Sequence, residues 1–192
     1  LNVKRSTFDV TPATTRLIVP NCSIPFTDGH YGRHDINLAE HCGDYIIRRK
    51  DGAWAYQLAV VVDDALMGVT EIVRGRDLLL SSPQQIHLRE LLFGERKTEN
   101  GKLIRSALPV NFFHHPLLCN AECQRLCKRD KSMDLGYLRD KGTTSQDIIA
   151  LLAHLAGMTD TIAPITPQEL IPLFSWDKVP LEDIILENRT TL

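Results

Sequence analysis

Residues 43–94 read GDYIIRRKDGAWAYQLAVVVDDALMGVTEIVRGRDLLLSSPQQIHLRELLFG, and the order of patterns in this stretch decides the fold. DYIIRR and AWAYQL flank the turn KDG, two extended segments around an Asp-Gly pair of the hairpin kind. LAVVVDDALMG follows as an apolar run that periodicity alone leaves open between a buried strand and a helix. A helix ended by Gly68 is favoured, because glycine readily takes the left-handed conformation that closes helices, and VTEIVRG is then the next strand. In SSPQQIHLRELLFG, Ser82 can cap a helix opened by Pro83, with Gln85 placed to return the capping bond and Ile86, Leu88, Leu91 and Leu92 on its buried side. Strand, helix, strand, helix predicts an α/β layer with a parallel component.

Outward from this block the signals thin. Residues 1–43 are rich in Thr, Pro, Asn, Gly and His around one short apolar patch, RLIVP, which predicts a single strand amid irregular connections. Towards the C-terminus the capping grammar returns at Thr144 with Asp147 ahead of IIALLAHLAG, and at Thr166, Pro167 and Glu169 ahead of LIPLF, so the last fifty or so residues predict a small helical region.

A chain of 192 residues with 43% hydrophobic and 24% charged residues fits an ordinary globular protein of one domain or two small ones. The net charge of −2 hides an asymmetry: residues 142–192 carry two Lys or Arg against seven Asp or Glu, and residues 1–141 carry twenty against seventeen. That balance excludes recognition of a polyanion by bulk charge, so nucleic acid or nucleotide must be met by a local cluster, of which residues 125–131 are the densest. No run approaches the ~20 apolar residues of a membrane span, and LNVKRSTFDV lacks the apolar core of a signal peptide, so a cytoplasmic location is expected. Five cysteines without a secreted-scaffold pattern predict free thiols.

Four constellations could carry chemistry. Cys119, Cys123 and Cys127 would share one helical face, with His114 and His115 as further ligands, but zinc and iron–sulfur sites use other spacings and incidental cysteines in a hairpin are the plainer reading. Asp63 and Asp64, as neighbours, point ~100° apart on a helix, so a structural role is favoured over a shared proton or ion. Arg74 ends a predicted strand before Gly75, the edge where open α/β sheets bind ligands, and its guanidinium can grip a carboxylate with two parallel hydrogen bonds. A surface arginine paired with Asp77 or Glu71 explains it equally well. Lys128 could follow a phosphate as a mobile point charge, or belong to a solvated face, and local chemistry does not decide between them.

Residues 43–94, with HHPLL, RLCKRD, SQDIIALLAHLAG and FSWDKVP, resemble the glutamyl-tRNA synthetase branch of the class I synthetases, and most closely its short glutamyl-queuosine tRNA(Asp) synthetases, over residues 16–185. The resemblance implies the second half of a Rossmann-like catalytic domain in residues 1–141 and a helical, stem-contact-like region in residues 142–192. It implies an ATP-dependent ligase, using Mg²⁺, that activates L-glutamate as an adenylate and passes it to queuosine in the anticodon of tRNA(Asp). Tyr56 and Arg74 fall where the family binds the amino acid, which moves Arg74 to the carboxylate-binding side. RLCK lies where the family has its KLSK phosphate loop, making Lys128 the catalytic cation and Arg125 a second ATP contact, although Arg125 and Cys127 depart from the pattern. Arg74 and Lys128 are thus expected to face one cleft.

The family's HIGH motif and zinc ligands would lie upstream of residue 1, and Cys22 and Cys42 do not match that zinc pattern, so no metal ligand is assigned in this chain. The expectation is the C-terminal part of a longer, monomeric enzyme, inactive alone because phosphate positioning needs both halves of the site. The short continuation after RDKG favours the modifying enzyme over one charging tRNA(Glu). Two further alternatives are a non-catalytic synthetase-like module that binds RNA or an amino acid, and a metal protein using the three spaced cysteines.

Overall fold

The computed structural model describes residues 13–97, 103–104, 109–126 and 134–186. In chain order the elements are β1 (Thr15–Leu17), β2 (Ser23–Asp28), β3 (Gly32–Asn37), α1 (Leu38–His41), β4 (Tyr45–Arg48), α2 (Tyr56–Leu66) and β5 (Glu71–Gly75). They continue as α3 (Ser82–Phe93), β6 (Arg96–Lys97), β7 (Leu103–Ile104), β8 (Asn111–His115), β9 (Leu118–Cys119), α4 (Leu135–Asp140), α5 (Ser145–Leu155), α6 (Pro167–Leu170) and β10 (Ile184–Ile185). The largest sheet has the order β3-β2-β8-β5, and β2 runs parallel to β8, which makes the fold α/β as expected. Contacts group the chain into two compact units, each assembled from separated stretches: Leu1–Phe26, Arg33–Ile72 and Leu80–Asn111, and Thr27–Gly32, Val73–Leu79 and Phe112–Leu192.

In the first unit β1 pairs antiparallel with β4, and Tyr45 of β4 is buried with its hydroxyl donating to the Gln84 carbonyl at 3.2 Å. Burial pushes the Tyr45 phenol up to about 12. The KDG turn forms as read, with Gly52 at φ +86, but its second arm is only the bridge Arg48↔Trp54. The extended reading of AWAYQL is corrected here: the helix begins at Tyr56, because the apolar positions from Leu58 onward repeat at helical spacing and bury Val61. That helix ends as predicted. Gly68 at φ +71 follows the cap, and its N–H and that of Val69 bond back to the carbonyls of Ala65 and Asp64.

The start of α3 is also corrected. The cap is Ser81, not Ser82, and it makes no side-chain capping bond, because a 3₁₀ turn over Arg76–Ser81 runs directly into the helix. Ser82 is instead fully buried. Gln57 of α2 joins α3 through the amides of Gln84 and Gln85, at 3.0 and 2.7 Å. Residues 1–43 hold more structure than the single strand expected, since β2, β3 and α1 follow β1.

In the second unit Asp28 sits opposite Phe112 in the parallel register, and the Gly29 N–H donates to the Phe112 carbonyl at 2.8 Å. Ala153, Met158 and Val179 form a buried cluster, with Ala156, Leu170 and Trp176 packed against it. Both predicted capping boxes are present, Thr144 with Asp147 and Thr166 with Glu169. Beyond the helices, β10 pairs parallel with β9, and Trp176 stacks on Phe113 at 5.3 Å between ring centres. Among the described residues no helix is long and apolar enough to cross a membrane.

Candidate functional site

The site is built on the ends of β2, β5 and β8 in the second unit. Side chains two apart on a strand share a face. Phe112 and His114 therefore point one way, with the Arg74 guanidinium 5.2 Å over the Phe112 ring. Val73 and His115 line the other side, where a cavity of about 460 Å³, completed by Leu117, Leu155, Trp176 and Val179, is almost wholly apolar. The opposite face carries the charged side chain, Arg74.

There a buried chain of polar groups runs from carboxylate to guanidinium. Asp28 and His114 are 2% and 0% exposed. Asp28 Oδ1 accepts from the backbone N–H of His30 at 3.0 Å, Tyr31 at 2.9 Å and His114 at 3.3 Å, while Oδ2 lies 2.6 Å from His114 Nδ1. Arg74 Nε donates to His114 Nε2 at 3.0 Å, and Arg74 Nη2 to the Leu78 carbonyl at 3.4 Å. An arginine N–H is always a donor, so Nε2 must accept and the imidazole proton must sit on Nδ1, facing Asp28. The protonation states agree with this. Burial works to raise the Asp28 carboxyl, but the hydrogen bonds from the Tyr31 N–H, His114 and the His30 N–H outweigh it and hold it below the usual carboxylate range. Burial, helped by the Arg74 charge, outweighs Asp28 and keeps His114 below the ordinary histidine value, so it is neutral at pH 7.

A second charged network lies along the same segment. Arg76 is ion-paired through two nitrogens with Asp183, whose Oδ1 also accepts from the Leu117 N–H at 2.8 Å. The Arg76 hydrogen bonds hold the Asp183 carboxyl below its ordinary value. Asp77 is ion-paired with Arg125, so one of the two carboxylates weighed as a partner for Arg74 is engaged elsewhere.

Of the residues singled out from sequence, Arg74 and Arg125 thus lie in one unit, tied to a single short segment by Leu78 and Asp77. Tyr56 opens α2 in the first unit and is 53% exposed. Lys128 and Cys127 lie outside the described residues. Cys119 is buried, and Cys123 is exposed at φ +58. His115 Nδ1 lies 2.8 Å from the Pro116 carbonyl. Among the described residues no three His, Cys, Asp or Glu side chains gather where a metal ion could be held. Asp63 and Asp64 are consecutive residues of α2, whose backbone carbonyls accept from Met67 and Val69.

Asp28 was not visible in the sequence as a site residue, and His114 only as a possible ligand. The available signals were weak: an Asp-Gly turn, DGHYG, and a His-His pair before a proline.

The four-stranded sheet, with a parallel pair and an arginine buttressed at a strand end, is that of an α/β domain. The chain belongs to the class I tRNA synthetases (E and Q), catalytic domain, a family whose model matches residues 2–180. Curated relatives include the glutamyl-Q tRNA(Asp) synthetase of Nitratidesulfovibrio vulgaris, 39% identical over 88% of this chain and 48% of its own length. That of a Neisseria meningitidis serogroup C strain is 45% identical over 86% of this chain and 51% of its own length. The chain therefore spans about half the length of the curated relatives it matches. Among solved structures, the glutamate-tRNA synthetase of Elizabethkingia anophelis superposes with a TM-score of 0.68 at 21% identity, over 89% of this chain and 36% of that one, a likeness of fold.

Proposed function

We propose that the protein activates L-glutamate with ATP as an adenylate and transfers the glutamyl group to queuosine in the anticodon of tRNA(Asp). The observation that carries this reading is Arg74, a guanidinium fixed at a strand end by a buried imidazole and carboxylate, in a chain of this family whose curated relatives are named glutamyl-Q tRNA(Asp) synthetases. A planar cation held in one orientation suits a carboxylate. Tyr56 is assigned as a second glutamate contact, and Arg125 and Lys128 as contacts for the ATP phosphates, with Arg125 exchanging Asp77 for phosphate oxygens. Residues 142–192 are assigned to the RNA stem. Mg²⁺ would enter with the nucleotide, since it commonly keeps substrate phosphates and water as ligands rather than an all-protein cage. A monomer working in the cytoplasm completes the reading.

The test is glutamate-dependent exchange between ATP and pyrophosphate by the full-length protein, followed by transfer of labelled glutamate to tRNA. Label on queuosine-containing tRNA(Asp), and none on tRNA(Glu), is the expected result. Label on the 3′ end of tRNA(Glu) instead makes the protein a protein-synthesis enzyme, and no exchange with glutamate removes the reading.

A further inference from the structure

We propose that Asp28 and His114 are positioning residues for substrate recognition: the Asp28 carboxylate fixes the imidazole proton on Nδ1, so that Nε2 accepts from Arg74 and holds the guanidinium in one orientation. That the ligand gripped by Arg74 is the glutamate carboxylate rests on the function proposed above. The relay itself rests on geometry alone. Its inner members are 2% and 0% exposed, and burying an ionised carboxylate is costly unless each oxygen is hydrogen-bonded. Asp28 meets that condition with a division of labour. Oδ1 serves the turn through the N–H groups of His30 and Tyr31, and Oδ2 lies against His114 Nδ1 at 2.6 Å.

This division makes Asp28→Asn an unusually clean probe. The N–H groups around Oδ1 require an oxygen there, so the new amide nitrogen must take the place of Oδ2. It would donate to His114 Nδ1 and drive the imidazole proton to Nε2. Two donors, Nε2–H and the Arg74 Nε–H, would then face each other where a 3.0 Å hydrogen bond now stands. The fold would be kept, the turn would be kept, and the arginine would lose its bond to His114 while keeping that of Nη2 to the Leu78 carbonyl. A purely structural role for Asp28 predicts the opposite, since the turn bonds survive.

The experiment compares full-length wild type, Asp28→Asn and His114→Leu, with His114→Gln as the conservative rescue. ¹⁵N NMR of the histidine ring and of the Arg74 Nε–H is expected to show the Nδ1–H tautomer and a protected guanidinium N–H in wild type. In Asp28→Asn the tautomer should be Nε2–H and the protection lost. In the exchange assay, KM for glutamate should rise about 10- to 100-fold in Asp28→Asn and His114→Leu, at roughly 1.4 kcal/mol per tenfold. KM for ATP should change less than about threefold, and His114→Gln, which keeps one donor and one acceptor, should recover part of the loss. An Nε2–H tautomer in wild type, or a protected Arg74 Nε–H in Asp28→Asn, overturns the relay. A flipped tautomer with an unchanged glutamate KM overturns its role in recognition. If wild type shows no exchange with glutamate, the functional reading fails, and the NMR result still decides whether the relay holds Arg74.

Discussion

His114 is neutral because three facts about its surroundings agree. It is buried, a guanidinium faces Nε2, and the single carboxylate at Nδ1 already accepts three backbone N–H bonds. Burial and the Arg74 charge lower its proton affinity, Asp28 raises it, and the balance is downward, with His115 the other titratable neighbour. The sign of the pH dependence follows. An unfolded histidine takes up a proton near pH 6.5, whereas folded His114 does so only at lower pH, so its contribution to stability is whole above about pH 6.5 and is lost as pH falls through the folded value. Asp28, also depressed, contributes in the same sense below the ordinary carboxylate value. Urea unfolding at pH 7.5 and 5.5 should therefore show wild type losing more stability on acidification than His114→Gln, by at most about 1.4 kcal/mol per pH unit. Equal losses would mean that the imidazole is not held neutral. At this scale the sequence offered Arg74 through its place before a glycine at a strand end, and hid its anchors. Asp28 is 86 residues from His114, and no local pattern announces such a pair.

Elements closed by residues of their own last or first turn were legible. Thr144 with Asp147 and Thr166 with Glu169 satisfy helix ends within three residues, and Gly68 closes α2 within its own last turn. Elements defined by neighbours were not. Ser82 looks like a cap, yet the 3₁₀ turn before it moves the cap one residue earlier. The pair β2 and β3 carries polar residues on both faces, and its turn is secured by Asp28 accepting from His30 and Tyr31 and by Gly29 lying against an aromatic ring. A Cβ on Gly29 would stand 2.0 Å from the Phe113 ring, which stacks on Trp176. Gly29→Ala must therefore push the ring and its partner aside, at a cost of about 1–3 kcal/mol typical of overpacking. Urea denaturation followed by tryptophan fluorescence checks this, and a variant with unchanged stability and emission would show that the turn can shift without moving Phe113.

Over the whole molecule, the second unit gathers three stretches separated by long insertions, and its contacts join residues as far as 150 apart. Composition and periodicity are local quantities, so they identified the helices of the C-terminal stretch but not what that stretch supports. Its last described residues reach the site in a chain of contacts. His30 Nε2 lies 3.1 Å from the Pro180 carbonyl, the Tyr31 hydroxyl donates to the Leu181 carbonyl at 3.0 Å, and Asp183 binds both Arg76 and the Leu117 N–H. His30 and Tyr31 in turn hold Asp28 through their backbone N–H groups, Asp28 holds His114, and His114 holds Arg74. Deleting residues 174–186 removes Val179 from the buried cluster and Trp176 from against it, along with these bonds. Amide hydrogen exchange on the full-length protein should then show lost protection in residues 27–32 and 73–79, which the deletion does not touch in sequence, with glutamate-dependent exchange falling together with it. Unchanged protection in those two stretches would mean that the arginine is anchored without the C-terminal segment.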